Sequence, residues 1–243
     1  MKVNRRAMKS RFYSANEITS AIATLSDQEA HHLLHVMRGK VGDEVTLFDG
    51  SGWEFAATIS QLGRSEVTLD ITAKTEVDRE RAMPLTIAVA LPKGDRQRVL
   101  IEKCVELGVT KVIPLESERS VAVPKDKSLE KLRRAVIESS KQCGRNRLMQ
   151  ISSGMPLETL LQQSPGSEFQ LRLLADPVGT ESLHDFSAAD DGKRDSILVA
   201  IGPEGGFSES ELDVANHAAW RTVNLGPRIL RIETAAIAFA ARL

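Results

Sequence analysis

The chain has few cysteines and a net charge close to zero, and each of these features argues against a class of protein. Of its 243 residues only Cys104 and Cys143 are cysteines, and they lie far apart. Disulfide frameworks and zinc knuckles need more cysteines at closer spacing, so neither is predicted. A net charge of -1 and a pI near 6.5 argue against a generally basic nucleic-acid binder. Any RNA contact must therefore come from local basic patches.

Long apolar runs are also missing. No stretch of about 18 apolar residues occurs, and the basic N-terminus lacks the apolar segment of a secretion signal. We therefore expect a soluble, cytoplasmic protein with reduced cysteines and no membrane partner.

No metal site is expected either. His31 and His35 would share a helix face, but the glutamate of an HExxH motif is absent and the neighbouring apolar residues favour packing roles. Cys143 could serve as a nucleophile, but it lies at a predicted helix end with no histidine nearby in sequence. Burial is the favoured role for this cysteine.

Residues 1–74 are predicted to form a small β-barrel. A capping box at Ser26-Asp-Gln-Glu29 begins a helix, and short strands follow at 45–48, 53–59 and 67–71. Residues 75–84 are mostly charged and have no apolar period, which predicts a linker.

Residues 85–243 show strands that alternate with helices. Apolar runs at 85–91, 111–115, 171–175, 196–201 and 222–225 are separated by helix-like segments. This alternation predicts an α/β fold, with a parallel sheet and helices on both faces.

Two glycine-containing loops are the most informative feature. Ile201-Gly-Pro-Glu-Gly-Gly206 follows an apolar strand, and Ser208 with Glu211 predicts a capping box for the next helix. Glycines admit positive φ and let the backbone approach a ligand, while a helix start leaves amide donors free. A second loop, 223–234, precedes the alanine-rich run 235–241. Two such loops after successive strands predict a ligand crevice.

Both loops resemble the C-terminal signatures of the RsmE family. These SPOUT-class methyltransferases use S-adenosylmethionine to methylate N3 of a uridine in 16S ribosomal RNA. The second signature is Leu225-Gly-Pro-Arg-Ile-Leu-Arg-Ile-Glu-Thr-Ala235. Further matching stretches occur in family order at 11–13, 29–38, 42–43, 47–50, 91–95, 106–108 and 142–145.

The resemblance has implications for fold and partners. It implies an N-terminal PUA-like RNA-binding β-barrel, then a SPOUT α/β domain with a C-terminal trefoil knot. It also implies that 16S rRNA is the substrate, within the 30S subunit. The run 235–241 has almost no polar face and must be covered on nearly every side. A partner subunit would cover it, so a homodimer is expected.

S-adenosylmethionine suits the predicted crevice better than a triphosphate does. The first loop lacks the Gly-Lys-Ser/Thr ending of a phosphate loop and does not match GxGxxG. Adenine needs backbone hydrogen bonds and an apolar slot, and the resemblance adds the strand end at Leu174 and Ala175. The predicted cofactor-binding residues are Leu174, Ala175, Ile201, Gly202, Pro203, Glu204, Gly205, Gly206, Leu225, Gly226, Arg228, Ile229, Leu230, Thr234 and Ala235.

Methylation at N3 also requires activation of the uridine. N3 bears a proton, so a base, or a cation that stabilises the uridine anion, is needed. The cation candidates are Arg231 and Arg228. Glu233 and Glu204 are the acid candidates, although the first could simply start a helix and the second stabilise a turn. The predicted catalytic residues are Arg231, Glu233 and Glu204.

RNA contact is assigned to basic residues next to aromatics. Arginines and lysines crowd the first eleven residues and precede Phe12 and Tyr13, an arrangement that suits phosphate contact and base stacking. A flexible basic tail is the alternative. The predicted RNA-binding residues are Arg5, Arg6, Arg11, Phe12, Tyr13, Arg38 and Arg145.

Two other functions stay open. A catalytically silent RNA-binding factor would keep the barrel and use no cofactor, but it has no need of two intact glycine loops. An α/β enzyme for a small nucleotide-like substrate would use the barrel only for interactions. Cofactor binding without RNA-dependent turnover would favour this last function.

Overall fold

The computed structural model describes residues 10–120, 126–162, 169, 171–186 and 196–243. The chain divides into two units: one runs to Glu80 and includes Ser140–Leu148, and the other comprises Arg81–Ser139 and Met149–Leu243. The predicted division into 1–74, 75–84 and 85–243 stays a prediction. Nothing in the sequence pattern indicated that residues 140–148 belong with the first unit.

The first unit is built on a five-stranded sheet in the order β1-β3-β4-β5-β2. Among the described strands of this unit, only β1 and β3 pair in parallel, and the other pairs are antiparallel. The strands alternate buried and outward residues, and the apolar core includes Phe12, Leu47 and Leu69. Their bounds are β1 (Arg11–Tyr13), β2 (Ile22–Leu25), β3 (Glu44–Phe48), β4 (Trp53–Leu62) and β5 (Val67–Glu76).

The first unit also contains a short helix between β2 and β3. Helix α1 (Asp27–His31) continues as a π-helical turn, His32–Val36. The predicted capping box at Ser26 is wrong, because the Ser26 side chain makes no capping hydrogen bond. The Glu29 carboxylate instead accepts the Tyr13 N–H (3.2 Å) and the Lys141 ammonium (2.8 Å), so it is used between elements and not at the helix start.

In its described residues, the second unit contains an eight-stranded sheet whose pairs are all parallel. The order is β11-β13-β10-β12-β6-β7-β8, and β9 pairs with β7. Strands β6 and β12 lie inside the sheet and are buried along their whole length, as expected for a parallel sheet covered on both faces. The strands are β6 (Leu85–Val89), β7 (Lys111–Glu116), β8 (Gln150–Ile151), β9 (Met155–Pro156), β10 (Leu171–Ala175), β11 (Glu181–Ser182), β12 (Ile197–Ile201) and β13 (Arg221–Asn224).

Helices pack on this sheet through alternate strand residues. Leu174, Leu198 and Ala200 form a core cluster with residues of α4 and α5, while α6 packs on β6, β12 and α2. The predicted α/β alternation is therefore confirmed. The helices are α2 (Arg96–Glu106), α3 (Asp126–Cys143), α4 (Leu157–Gln162), α5 (Glu209–His217) and α6 (Ile232–Arg242).

A half-buried arginine, Arg81, contacts the C-terminal ends of two helices. Arg81 donates from Nη1 to the carbonyls of Leu107 (3.0 Å) and Ala240 (2.7 Å), so a cation meets the C-terminal ends of both α2 and α6. Burial lowers the pKa of this guanidinium. Among the described residues, no helix has both the length and the apolar character needed to cross a membrane.

Candidate active site

An open cleft of about 620 Å³ lies where β10, β12 and β13 end. Ligands of α/β proteins bind at this edge, beyond the carboxyl ends of parallel strands. The cleft is lined by Ala175, Asp176, Pro177, Ile201, Gly202, Pro203, Glu204, Gly206, Val223, Leu225, Gly226, Arg228, Ile229, Leu230, Ile232 and Ala235.

Most of the predicted cofactor residues come together here. Those that line the cleft are Ala175, Ile201, Gly202, Pro203, Glu204, Gly206, Leu225, Gly226, Arg228, Ile229, Leu230 and Ala235. Leu174, Gly205 and Thr234 do not line it. Leu174 points into the core cluster under α4 and α5, because successive strand residues face opposite sides. Thr234 is exposed on α6, and Gly205 turns its carbonyl toward Arg119.

Sequence reasoning missed four residues of the lining: Asp176, Pro177, Val223 and Ile232. Asp176 and Pro177 directly follow β10. Because β10 ends at the same sheet edge as β12 and β13, their position after this strand was a signal that could have predicted them.

The first glycine loop is fixed by hydrogen bonds within itself, from the helix that follows it and from Arg119. Gly206 has φ +68° and donates its N–H to the Pro203 carbonyl (2.8 Å). The predicted capping box is confirmed, since Ser208 N–H donates to Glu211 Oε2 (2.8 Å) and Glu211 N–H to Ser208 Oγ (3.3 Å). Arg119, from the segment after β7, donates to the carbonyls of Gly205 (2.8 Å) and Phe207 (3.2 Å).

The segment after β10 packs directly on β13. Asp176 N–H donates to the Val223 carbonyl (3.0 Å), and Asp176 Oδ1 accepts the Val178 N–H (3.1 Å). A Cβ at Gly179 would lie 2.9 Å from backbone atoms of Thr222 and Val223, so only glycine fits there.

The three catalytic candidates differ in their surroundings. Glu204 is half exposed and pairs with Arg96 of α2, Nη2 to Oε1 at 3.2 Å. Glu233 is 8 % exposed; its Oε2 lies 3.8 Å from Arg96 Nη1 and has no hydrogen-bond partner in the described part of the chain. Arg231 is exposed where α6 begins, and its guanidinium makes no hydrogen bond or ion pair with any described residue. Arg96 was not predicted.

The described members of the predicted RNA-binding set differ in their surroundings. Arg5 and Arg6 lie outside the described residues. The Arg11 guanidinium is mostly buried: it pairs with Glu54 (2.5 Å) and lies 4.5 Å from the centroid of the Phe48 ring. Burial lowers the pKa of Arg11.

Two further members of that set are buried. Phe12 is 1 % exposed in the core of the first unit, and Arg145 is 4 % exposed with Nε bound to Glu80 at 2.9 Å. The groups of Arg11, Phe12 and Arg145 are used in packing and ion pairs in this structure, and their contact with RNA stays a prediction. Tyr13 is half-buried and Arg38 is exposed, with φ +54°.

The cysteines and histidines form no metal centre in the described residues, where no group of three or more His, Cys, Asp or Glu is arranged to hold an ion. Cys104 lies inside α2, and burial raises its pKa to about 12. Cys143 is half-buried, with Sγ 4.0 Å from the Ser140 carbonyl.

A parallel sheet with a glycine-backed cleft at its carboxyl edge is typical of enzymes that bind a nucleotide-like cofactor. Family models agree: residues 79–243 match an RNA methyltransferase domain, and residues 25–72 match an RNA methyltransferase PUA domain. The ribosomal RNA small subunit methyltransferase E of Rickettsia conorii is 31 % identical over 248 residues, covering 100 % of this chain and 96 % of that protein. The chain belongs to the ribosomal RNA small subunit methyltransferase E family.

Solved structures extend the comparison to the cofactor. The Neisseria gonorrhoeae ribosomal RNA small subunit methyltransferase E bound to S-adenosyl methionine has a TM-score of 0.83 at 30 % identity, over 96 % of this chain and 95 % of that one. A Legionella pneumophila methyltransferase in complex with the cofactor SAM has a TM-score of 0.85 at 30 % identity, over 96 % of both chains.

Proposed function

We propose that this protein transfers the methyl group of S-adenosylmethionine to N3 of a uridine in 16S rRNA, within the small ribosomal subunit. The glycine-backed cleft at the ends of β10, β12 and β13 carries the proposal, because chains of the same fold have S-adenosylmethionine bound. Family membership supports an rRNA substrate.

The residues of the cleft fit this cofactor. Apolar side chains of Leu225, Leu230 and Ile232 provide walls for an adenine ring, and Ile229 is 85 % exposed at the edge, where a ligand could cover it. A Cβ at Gly206 or Gly226 would meet nothing within 4 Å, so open space lies against the backbone at both glycines. When bound, S-adenosylmethionine supplies a methyl group activated by its sulfonium.

Arg231 is the proposed activating cation. Its guanidinium, which has no partner among the described residues, could face the O2-N3-O4 system of the uridine and stabilise the negative charge that develops there. Arg228, also exposed on this loop, is the second cation candidate. Glu233 Oε2 is buried and accepts no hydrogen bond from the described residues, which suits acceptance of the N3 proton. Arg96 would hold Glu233 in place, and Glu204 would anchor the same arginine from the other loop.

The fold and assembly complete the proposal. We assign the second unit to the SPOUT class with a C-terminal trefoil knot, and the first unit to a PUA-like RNA-binding barrel in which Arg5, Arg6, Tyr13 and Arg38 contact RNA. A homodimer is proposed because α6 leaves Ala241 exposed and Ile237 and Ala238 half exposed, an apolar strip that a second copy could cover. A ribosomal substrate implies action in the cytoplasm.

Mass spectrometry of 16S rRNA tests this function. RNA from a deletion strain should lack one methyluridine, which the wild-type chain should restore on complementation. A Gly206→Val variant expressed at equal level should restore none. If RNA from the deletion strain kept every methyluridine, the protein would not be this enzyme, and the silent RNA-binding factor would become the better account.

A further inference from the structure

Asp176 is an acidic residue of the cleft that methyl transfer, as proposed above, does not use. It directly follows β10 and lines the cleft between Ala175 and Pro177. Its main-chain N–H donates to the Val223 carbonyl at 3.0 Å, so the residue is fixed against β13.

The Asp176 side chain is oriented but only half satisfied. Oδ1 accepts the Val178 N–H at 3.1 Å, whereas Oδ2 accepts no hydrogen bond from the residues that the structure describes, and Asp176 forms no ion pair with them. The close approach of Gly179 to the backbone of Thr222 and Val223 keeps this turn from shifting. A carboxylate held in this way offers a fixed acceptor to a donor on a ligand.

Two carboxylates line the described cleft, and they suit different parts of a ligand. Glu204 is half exposed and already paired with Arg96, so it lies in a solvated, charged environment that suits the amino-acid end of S-adenosylmethionine. Asp176 has apolar neighbours in the lining, including Ala175 and Val223, which suit the nucleoside end. The ribose of that end carries two adjacent hydroxyl donors, for which an ionised carboxylate is a strong acceptor.

We propose that Asp176 accepts hydrogen bonds from the ribose hydroxyls of bound S-adenosylmethionine and so restricts the cleft to ribonucleosides. This assignment rests on the proposed function, because it takes S-adenosylmethionine as the occupant of the cleft. It makes Asp176 a specificity-determining residue with no part in activating the uridine.

Calorimetry with S-adenosylhomocysteine and its 2′-deoxy and 3′-deoxy analogues tests the assignment on the full chain. The wild type should bind at least one deoxy analogue about ten- to a hundredfold more weakly, the loss expected for a hydrogen bond to a charged group. Asp176→Asn keeps an oxygen for the Val178 N–H but removes the charge and one acceptor. This variant should lose about the same factor for S-adenosylhomocysteine and should discriminate little between the three ligands. Asp213→Asn, at an exposed position on α5, is the matched control and should behave as wild type.

The possible results separate this inference from the proposed function. Equal binding of all three ligands by the wild type, or unchanged discrimination by Asp176→Asn, would overturn the ribose assignment alone. So would methylthioadenosine, which lacks the amino-acid end, binding equally to wild type and variant, because Asp176 would then act on that end. A lower melting temperature with the same loss for every ligand would also overturn it, by showing a structural role. No binding of S-adenosylhomocysteine by the wild type would overturn the proposed function itself.

Discussion

The guanidinium of Arg96 lies 3.2 Å from the carboxylate of Glu204 and so connects the start of α2 to the first glycine loop. Its other terminal nitrogen lies 3.8 Å from the buried Glu233 of α6. One cation therefore faces carboxylates from both loops that border the cleft, and without it two negative charges would face each other.

Replacing Arg96 should disturb both loops. We expect Arg96→Gln to weaken binding of S-adenosylmethionine and lower turnover, each by about tenfold, a modest figure because the side chain is one-third exposed. Arg96→Lys should recover part of this loss, since it keeps the charge and loses the forked geometry. Arg98→Gln is the control: it breaks an exposed ion pair between Arg98 and Glu102, one turn further along α2, and should change binding and turnover little. Steady-state kinetics would contradict the assignment if the Arg96 and Arg98 variants behaved alike.

Gly206→Val should abolish cofactor binding. Gly206 has φ +68°, a conformation that a β-branched residue rarely adopts, and the open space beside it belongs to the cleft. Gly205→Ala should keep most of the affinity, because a Cβ there would meet the Arg119 side chain at 3.4 Å and does not enter the cleft. Calorimetry that ranks the two variants in the opposite order would show that Gly205 is the glycine at the ligand.

Arg231→Ala should separate binding from turnover. An exposed guanidinium with no described partner contributes little to stability. Affinity for S-adenosylmethionine and the melting temperature should therefore stay near wild type. Turnover should fall about a hundredfold or more, as for loss of one preorganised donor. Raising the pH should restore part of the rate, because more uridine is then deprotonated in solution. Weaker cofactor binding and a lower melting temperature, without rescue at high pH, would instead make Arg231 a structural residue.

Acid should destabilise the first unit through Glu54. Burial raises the pKa of this carboxyl group, but hydrogen bonds and charge from Arg79 and Arg11 outweigh it and lower the pKa below its ordinary value. A lowered pKa in the folded state means that the stabilisation is present above the unfolded-state value and is lost as pH falls through the folded-state value. Glu54→Gln should cost about 2 kcal/mol at neutral pH, since the mostly buried Arg11 loses its carboxylate partner and keeps only neutral acceptors.

Urea unfolding as a function of pH measures this effect. The wild type should lose the Glu54 contribution as the pH falls from the ordinary glutamate pKa through the lower folded-state pKa, and the Glu54→Gln curve should lack that part of the slope. Glu76→Gln, at an exposed site on β5, should follow the wild type. Identical pH slopes for wild type and Glu54→Gln would rule out this source of acid sensitivity.

The sequence predicted the second unit better than the first, for physical reasons. Fully apolar runs such as 197–201 and a capping box such as Ser208 with Glu211 are local signals, and both have the predicted form. The parallel pairing of β1 with β3 depends on contacts between residues distant in sequence. Strand β1 has only three residues, which are too few to show an alternating pattern. Glu29 has the spacing of a capping box, but its carboxylate accepts hydrogen bonds from Tyr13 and Lys141 instead.

The same contrast holds for the site. Glycines at strand ends indicated the cleft, because a residue without a Cβ marks a place where a ligand can approach the backbone closely. The burial of Arg11 and Arg145 could not be predicted, because a basic residue next to an aromatic has the same sequence pattern whether it faces RNA or Glu54 and Glu80. Arg96 was missed because its partners lie 108 residues or more away along the chain.

Incubation of unmethylated small ribosomal subunits with the protein and S-adenosylmethionine carrying a deuterated methyl group tests the central claim most directly. Digestion of the 16S rRNA followed by mass spectrometry should find one deuterated uridine that co-migrates with N3-methyluridine, and Gly206→Val should give none. Label on a ribose hydroxyl or on another base, or no label despite confirmed binding of S-adenosylmethionine by the wild type, would contradict the account.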